Sequence, residues 1–170
     1  MQIKIAILFV LITVSVAGWG IYVFQKLTTT ETTMAEIQRA FPANSYQLFL
    51  NSNKLTLYRL KPEPQTDGEK FRDFTVLGKT EIDTVPHQKE LKAAFVTEMA
   101  AAKSAGCFNP SHGLRAVADD GKTVDVVVSF ECGKFTVYSG DAQSEGGIKA
   151  EHLEAPFNQI LNNAGIETSK

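Results

Sequence analysis

The chain lacks an excess of positive charge. Its 17 lysines and arginines are outnumbered by 19 acidic residues, which gives a net charge of -2 at pH 7. The basic residues are scattered along the chain. A nucleic-acid-binding domain needs a basic face or groove, and peripheral docking on anionic lipid needs a polybasic patch. The sequence therefore argues against both, and no nucleic-acid partner is predicted.

Internal repeats and complete catalytic motifs are also missing. Gly78, Lys79 and Thr80 resemble the end of a phosphate-binding loop, but Asp73 stands where the first glycine of that pattern is required. No cofactor is predicted, and the chain is not expected to be an enzyme.

Cysteine is rare, with Cys107 and Cys132 as the two copies. An even number of cysteines in an oxidising compartment predicts a disulfide. It would tie the loop formed by residues 107–113 to the end of a neighbouring strand. A domain of about 125 residues can bury enough apolar surface without such a link. We therefore expect the disulfide to add stability without deciding the fold.

The most informative segment that the chain does have is an uncharged apolar run over residues 5–24, between Lys4 and Lys26. A helix of about 20 residues rises about 30 Å, which matches the hydrocarbon core of a bilayer. Trp19 and Tyr22 lie near its end, where aromatic rings favour the membrane interface. We expect residues 1–27 to form a transmembrane anchor that contacts the lipid bilayer through residues 5–24.

A cleaved secretory signal is the alternative. Ser15, Val16 and Ala17 before Gly18 fit a cleavage site. Apolar residues continue beyond that site to residue 24, however, whereas a cleaved signal is normally followed by polar chain. The uncleaved anchor is therefore favoured.

The rest of the chain is predicted to be a polar linker over residues 28–45, with a possible short helix, and an α+β domain over residues 46–170. Alternating apolar residues predict a hairpin from strands over 46–50 and 55–60, and a further strand over 74–82 in which Gly78 marks a bulge or a close approach. A three-strand meander is predicted over 114–118, 123–130 and 135–138, followed by a loop over 139–149.

Two helices complete the predicted domain. Residues 86–104 show a helical stripe of Leu91, Phe95, Met99 and Ala102, with Pro86 in the first turn and Gly106 as the stop. Residues 156–164 form the C-terminal helix. The order of elements predicts an antiparallel sheet packed with one long helix and one C-terminal helix.

Unusual residue types concentrate in a loop and the strand after it, which makes Cys107, Asn109, His112 and Arg115 the candidate functional residues. In the favoured interpretation Cys107 and Cys132 form a disulfide and His112 is a solvated or hydrogen-bonded loop residue. Alternatively, Cys107, His112 and Cys132 hold a zinc ion with one open coordination position, or His112 activates Cys107 as a nucleophile. Free thiolates are disfavoured outside the cytoplasm, and no group that would orient the histidine is identifiable.

Asp125 belongs to a strand in which Val124 and Val126 point inward, which would turn Asp125 towards water. The unbroken run of Val126, Val127 and Val128 indicates instead that this strand is buried on both faces. The two interpretations remain open at this point.

Segments 74–80, 107–115 and 124–132 resemble a family of small uncharacterised bacterial proteins that carry a C-F-x-P-x-H-G motif, a later F-E-C motif and often an N-terminal signal or lipoprotein segment. The resemblance covers about residues 55–166. It implies a bacterial origin and no established activity. The family commonly has arginine at position 111 and cysteine at position 129, where this chain has Ser111 and Ser129. Because the second motif of this chain keeps a single thiol, on Cys132, metal chelation or redox cycling by that motif is doubtful.

The expected function is that of a non-catalytic domain on a single-pass anchor in the bacterial cell membrane, acting outside the cytoplasm as an interaction or envelope-associated module. An envelope protein is a possible partner. The alternative is a thiol- or zinc-dependent enzyme centred on Cys107, His112 and Cys132.

The first prediction concerns topology. Lys4 and Lys26 nearly balance each other, but residues 28–33 contain Glu31 and no base, so the positive-inside rule favours an N-terminus inside and a C-terminal domain outside. A reporter that is active only outside the cytoplasm should work when fused after Lys170. Activity of a cytoplasm-only reporter there would contradict the topology, and retention in membranes after a carbonate wash would separate the anchor from a cleaved signal.

Overall fold

A computed structural model of the chain describes residue 35 and residues 37–42, 44–63, 67–100 and 106–168. The chain divides into two units, Met1–Glu36 and Ile37–Lys170. The predicted anchor and the start of the predicted linker lie outside the described residues. No helix within the described ranges is long and apolar enough to cross a membrane, so the anchor stays a prediction.

The second unit is an α+β structure. Its strands are β1 Lys54–Lys61, β2 Lys70–Phe71, β3 Phe74–Glu81, β4 Met99–Ala100, β5 His112–Val117, β6 Thr123–Ser129, β7 Lys134–Ser139 and β8 Ala142–Ile148. Residues 37–39 are helical, and the helices that follow them are α1 Ser45–Asn51, α2 Val85–Thr97 and α3 Glu154–Asn163, with a 3-10 turn at Ala150–His152. The unit begins before the predicted boundary at residue 46, because Ile37, Ala40 and Phe41 are already buried.

All strands join one eight-stranded sheet in the order β2-β3-β1-β5-β6-β7-β8-β4. Every pair of neighbours is antiparallel. The predicted α+β class and the three meander strands are therefore confirmed. The structure adds β8 as a fourth meander strand.

One face of the sheet packs against the helices. Phe49 of α1, Phe95 of α2 and Phe157 of α3 are each fully buried there. The Phe95 ring bridges two layers, because its centre lies 5.8 Å from that of Phe49 and 5.2 Å from that of Phe135 on β7. The sheet contributes the aliphatic floor of this core: Leu55, Leu57, Leu114, Ala116, Val124, Val126, Val128 and Val137.

The opposite face is covered in part by the short hairpin of β2 and β3. A second apolar cluster forms there from Tyr58, Leu60, Phe71 and Val127, with Phe74, Val76 and Tyr138 packed against it. Strand β6 is thus buried on both faces, which explains its continuous run of valines.

The predicted strand over residues 46–50 is wrong, because these residues form helix α1. The alternation of Tyr46, Leu48 and Leu50 is short enough to fit either structure. Burial decides the matter: Ser45, Tyr46 and Phe49 are the buried residues of this segment, and that spacing lies on one helical face. Strand β1 pairs instead with β3 and β5.

The long helix ends earlier than predicted, at Thr97, and Met99 belongs to edge strand β4. Gly106 is therefore not the helix stop. The beginning of the helix is as predicted, with Pro86 in its first turn and the Thr84 side chain accepting from the His87 backbone N–H at 3.4 Å.

The predicted loop over residues 139–149 is also wrong. Residues Ala142–Ile148 form β8, since Gly146 lets the backbone approach the fully buried ring of Phe135 on the neighbouring strand. A similar approach occurs at Gly78, where an added Cβ would lie 2.7 Å from Ile166 Cγ2. Gly78 also borders the register shift between β1 and β3, so both features predicted for it are confirmed.

We predict that Gly146→Ala destabilises the protein by about 1–3 kcal/mol, the usual cost of overpacking a core. A Cβ at this position would overlap Phe135 Cζ and lie 2.6 Å from Phe135 Cε1. Urea unfolding of the full chain measures the change. Gly106→Ala is the matched control, because its Cβ would meet nothing within 4 Å, and it should change stability by less than about 0.5 kcal/mol. Equal stability of the two variants would contradict the packing.

Candidate functional site

The two cysteines form a disulfide. Their Cα atoms are 5.9 Å apart across a separation of 25 residues, within the roughly 7 Å that a disulfide can span. The distance between the two Cα atoms therefore confirms the expected pairing of Cys107 with Cys132. The bond ties the loop before β5 to the turn between β6 and β7.

His112 begins strand β5 and points into the helix-covered core. Its side chain is 1% exposed and packs against the rings of Phe130 and Phe157, whose centres are 5.1 and 5.9 Å from its own. Nε2 is 2.9 Å from Asn158 Oδ1 and Nδ1 is 2.9 Å from Ser111 Oγ. A neutral ring that donates from Nε2 and accepts the Ser111 hydroxyl proton at Nδ1 satisfies both contacts.

Burial lowers the pKa of His112 to about 4, although the hydrogen bond with Asn158 opposes the shift. The ring is therefore neutral near pH 7. Ser111, His112 and Asn158 have the order of groups found in hydrolytic triads. A general base works best with a pKa near the working pH, so this histidine is a poor base and its contacts serve the core.

The zinc and nucleophile interpretations are disfavoured by the same geometry. Both sulfur atoms are committed to the disulfide, and both ring nitrogens of His112 have hydrogen-bond partners. Across the described ranges, no group of three or more His, Cys, Asp or Glu side chains is placed to hold a metal ion.

The remaining candidates lie apart from each other. The Asn109 backbone N–H donates to Ser129 Oγ at 3.1 Å and its side-chain Nδ2 donates to Glu131 Oε2 at 2.7 Å, so Asn109 holds the loop against the end of β6. Arg115 lies three positions after His112 on the same strand. Because side chains alternate along a strand, Arg115 points to the opposite face of the sheet.

On that opposite face Arg115 meets Asp125 and Arg72, and we call these three side chains the arginine cluster. The Asp125 side chain is fully buried. Its Oδ1 accepts from Arg115 Nε at 2.7 Å, and its Oδ2 accepts from Arg115 Nη2 at 2.8 Å and from Arg72 Nε at 2.7 Å. The burial of Asp125 settles the open question of the sequence in favour of a covered strand.

Aromatic rings fix the position of both guanidinium groups. Arg72 Cζ lies 4.8 Å from the centre of the Tyr138 ring, and Arg115 Cζ lies 5.2 Å from that of Phe71, within the range of cation–π attraction. The hydrogen bond with Asp125 is the main cause that raises the pKa of Arg115. Burial raises the pKa of Tyr58, and the charge of Arg115 opposes it.

The arginine cluster presents hydrogen-bond donors to solvent, whereas its Asp125 carboxylate is fully buried and bonded to both arginines. One carboxylate faces two guanidinium groups, so one positive charge is unmatched within the cluster. The Arg72 and Arg115 side chains are 27% and 38% exposed, which leaves part of each guanidinium in contact with water. Arginine is the side chain best suited to planar recognition of an anion.

Sequence reasoning named Arg115 and left Asp125 open, but it missed Arg72. The carboxylate that Arg72 contacts is 53 positions away along the chain, so no local pattern joins them. One sequence signal could have pointed to Arg72. It is the first residue of a two-residue turn between Phe71 and Phe74, a position where glycine is usual.

Comparisons with protein-family models, curated proteins and solved structures gave no match. Function is therefore inferred from the residues of the chain itself.

We predict that His112 makes stability depend on pH. A histidine with a pKa of about 4 in the folded state and about 6.5 in the unfolded state binds its proton more readily when unfolded. The contribution of neutral His112 to the free energy of unfolding is present above pH 6.5 and is lost as the pH falls towards 4. The free energy of unfolding should therefore fall by about 2 kcal/mol from this residue between pH 7.5 and pH 5.

Urea unfolding of the full chain at these two pH values measures the loss. His112→Gln should be less stable at pH 7.5 and should lose less stability on acidification than the parent. His152→Gln, which changes an exposed histidine, should keep the parent's pH dependence. An unchanged pH dependence in His112→Gln would show that another group is responsible.

Proposed function

We propose that the chain is a non-catalytic binding module that acts outside the bacterial cytoplasm on a single-pass membrane anchor. The observation that carries the proposal is that the three residues needed for thiol or zinc catalysis are already engaged in structural contacts. Cys107 and Cys132 are bonded to each other, and His112 is buried with both nitrogens occupied. Their roles are in holding the loop and the core together.

The location is supported by three features. The apolar segment over residues 5–24 has the length of a bilayer-spanning helix, a threonine-rich polar spacer follows it, and a disulfide belongs to an oxidising compartment. The resemblance to small exported bacterial proteins agrees with this location. An envelope protein partner is part of the same proposal.

The binding role is supported by the contrast between the two faces of the sheet. On the helix-covered face both nitrogens of His112 are paired inside the core, whereas the arginine cluster keeps part of its two guanidinium groups exposed. This cluster can recognise an anion without transforming it.

We predict that the full chain, purified without reductant and unfolded, shows no titratable thiol and no stoichiometric zinc. After reduction the same sample should show two thiols, since the chain has two cysteines. A thiol reagent and elemental analysis measure the two quantities. Two thiols before reduction together with one bound zinc would contradict the proposal and support the thiol- or zinc-dependent enzyme.

A further inference from the structure

Two guanidinium groups share one carboxylate oxygen on the face of the sheet opposite helices α1, α2 and α3, which we call the helix-free face with respect to the described residues. Arg72 Nε and Arg115 Nη2 lie 2.7 and 2.8 Å from Asp125 Oδ2, so the two positive groups are held close together. Repulsion between like charges at such separations is weakened by solvent but not removed. A single Asp125 carboxylate cannot balance both charges.

The two arginines differ in how much of their hydrogen-bonding capacity is used. Arg115 engages both oxygens of Asp125, through Nε and Nη2. Within the described part of the chain, Arg72 donates a hydrogen bond through Nε alone, to Asp125. Four N–H groups of an arginine belong to its two terminal nitrogens, so those of Arg72 remain to bind another acceptor.

The backbone at Arg72 is strained. Its φ of 55° lies in the left-handed region, which is unfavourable for a residue other than glycine. Strain of this kind persists where the surroundings hold it in place and is concentrated at binding and catalytic sites. Here the ion pair with Asp125 and the ring of Tyr138 hold Arg72 in position.

We propose that the exposed edges of Arg72 and Arg115 bind a carboxylate, which becomes the second anion of the arginine cluster. This proposal deepens the proposed binding function and rests on it. A monoanion cancels the one unmatched charge, and its two oxygens suit the planar donors of a guanidinium. The cluster would then hold two arginines between two carboxylates, one internal and one supplied by the ligand.

Neighbouring acids favour a monoanion over a phosphate dianion. Burial raises the pKa of Tyr138, and the charges of Asp73 and Glu145 raise it further. Tyr138 carries the ring that Arg72 contacts, so these two negative charges disfavour a dianion more than a monoanion. A dianion would also exceed the single positive charge available.

The experiment follows the side-chain Nε–H signals of Arg72 and Arg115 by NMR in the 15N-labelled full chain. Sodium acetate replaces sodium chloride at constant ionic strength and pH 7, so that screening is unchanged. Both signals should shift in a saturable way with acetate and should not shift with acetamide, which has the same shape without the charge.

Arg72→Gly is the decisive variant, because it removes the guanidinium while placing glycine at a left-handed position that favours it. The fold should be retained and acetate should bind at least about tenfold more weakly, as expected for a lost charged hydrogen bond. Arg72→Lys keeps the charge and loses the planar donors, and it should also weaken binding. Lys122→Gln is the control: this lysine is 71% exposed and paired with Asp120, and its loss should leave acetate binding unchanged.

The source of the carboxylate is distinguished with a capped tetrapeptide that contains one aspartate and with its asparagine version. Tighter binding of the aspartate peptide than of acetate would identify an acidic polypeptide as the ligand, and equal binding would identify a small carboxylate. Three results would overturn the proposal: equal shifts with acetamide, unchanged acetate binding in Arg72→Gly, or tighter binding of phosphate than of acetate. None of these would alter the thiol and zinc contents that test the proposed function.

Discussion

Strand β6 is the constraint on which the rest of the structure depends, because neither of its faces can be left in water. Val124, Val126 and Val128 are fully buried under the helices, and Asp125 and Val127 are fully buried on the other side. A strand of this kind needs both coverings at once. The helices supply one, and the β2–β3 hairpin, with Phe71 and Arg72, supplies part of the other.

Asp125 determines which side chains can cover the face of β6 that lies away from the helices. An ionised carboxylate without partners costs several kcal/mol when it is removed from water, so the face around Asp125 cannot be closed by apolar side chains alone. Arg115 on the adjacent strand provides the first compensation, and it is in register, since Arg115 pairs directly with Asp125 across β5 and β6. The apolar contacts of Phe71 then complete the closure.

Strand β5 places a buried polar side chain and a partly exposed one on opposite faces of the sheet, because successive side chains of a strand alternate between the faces. His112 points into the core and Arg115 points to the helix-free face. Gly113 lies between them, and a Cβ there would come within 2.6 Å of Phe71 Cε1. The absence of a side chain at this position is therefore what allows the hairpin to lie against the sheet beside Arg115.

Strands β5, β6 and β7 could be predicted from sequence because their signals are local: apolar runs separated by tight turns. Strand β8 could not, because the need for glycine at position 146 comes from the Phe135 ring on β7. Lys92 is a similar case. Its Nζ donates to the Ser52 carbonyl at 2.6 Å, just beyond the end of α1, and burial lowers its pKa. A lysine in a helical pattern predicts an exposed side chain, and only the tertiary contact reverses that expectation.

Charge balance within the fold accounts for Arg115 but does not account for Arg72. Arg115 already contacts both oxygens of Asp125, so one arginine is enough to neutralise the buried carboxylate. Arg72 adds a second positive charge and a strained backbone. Glycine at this position would relieve the strain of the turn. The folded state therefore carries a cost at position 72 that neutralising Asp125 does not require, and the proposed carboxylate ligand would give this arginine a second ionic partner.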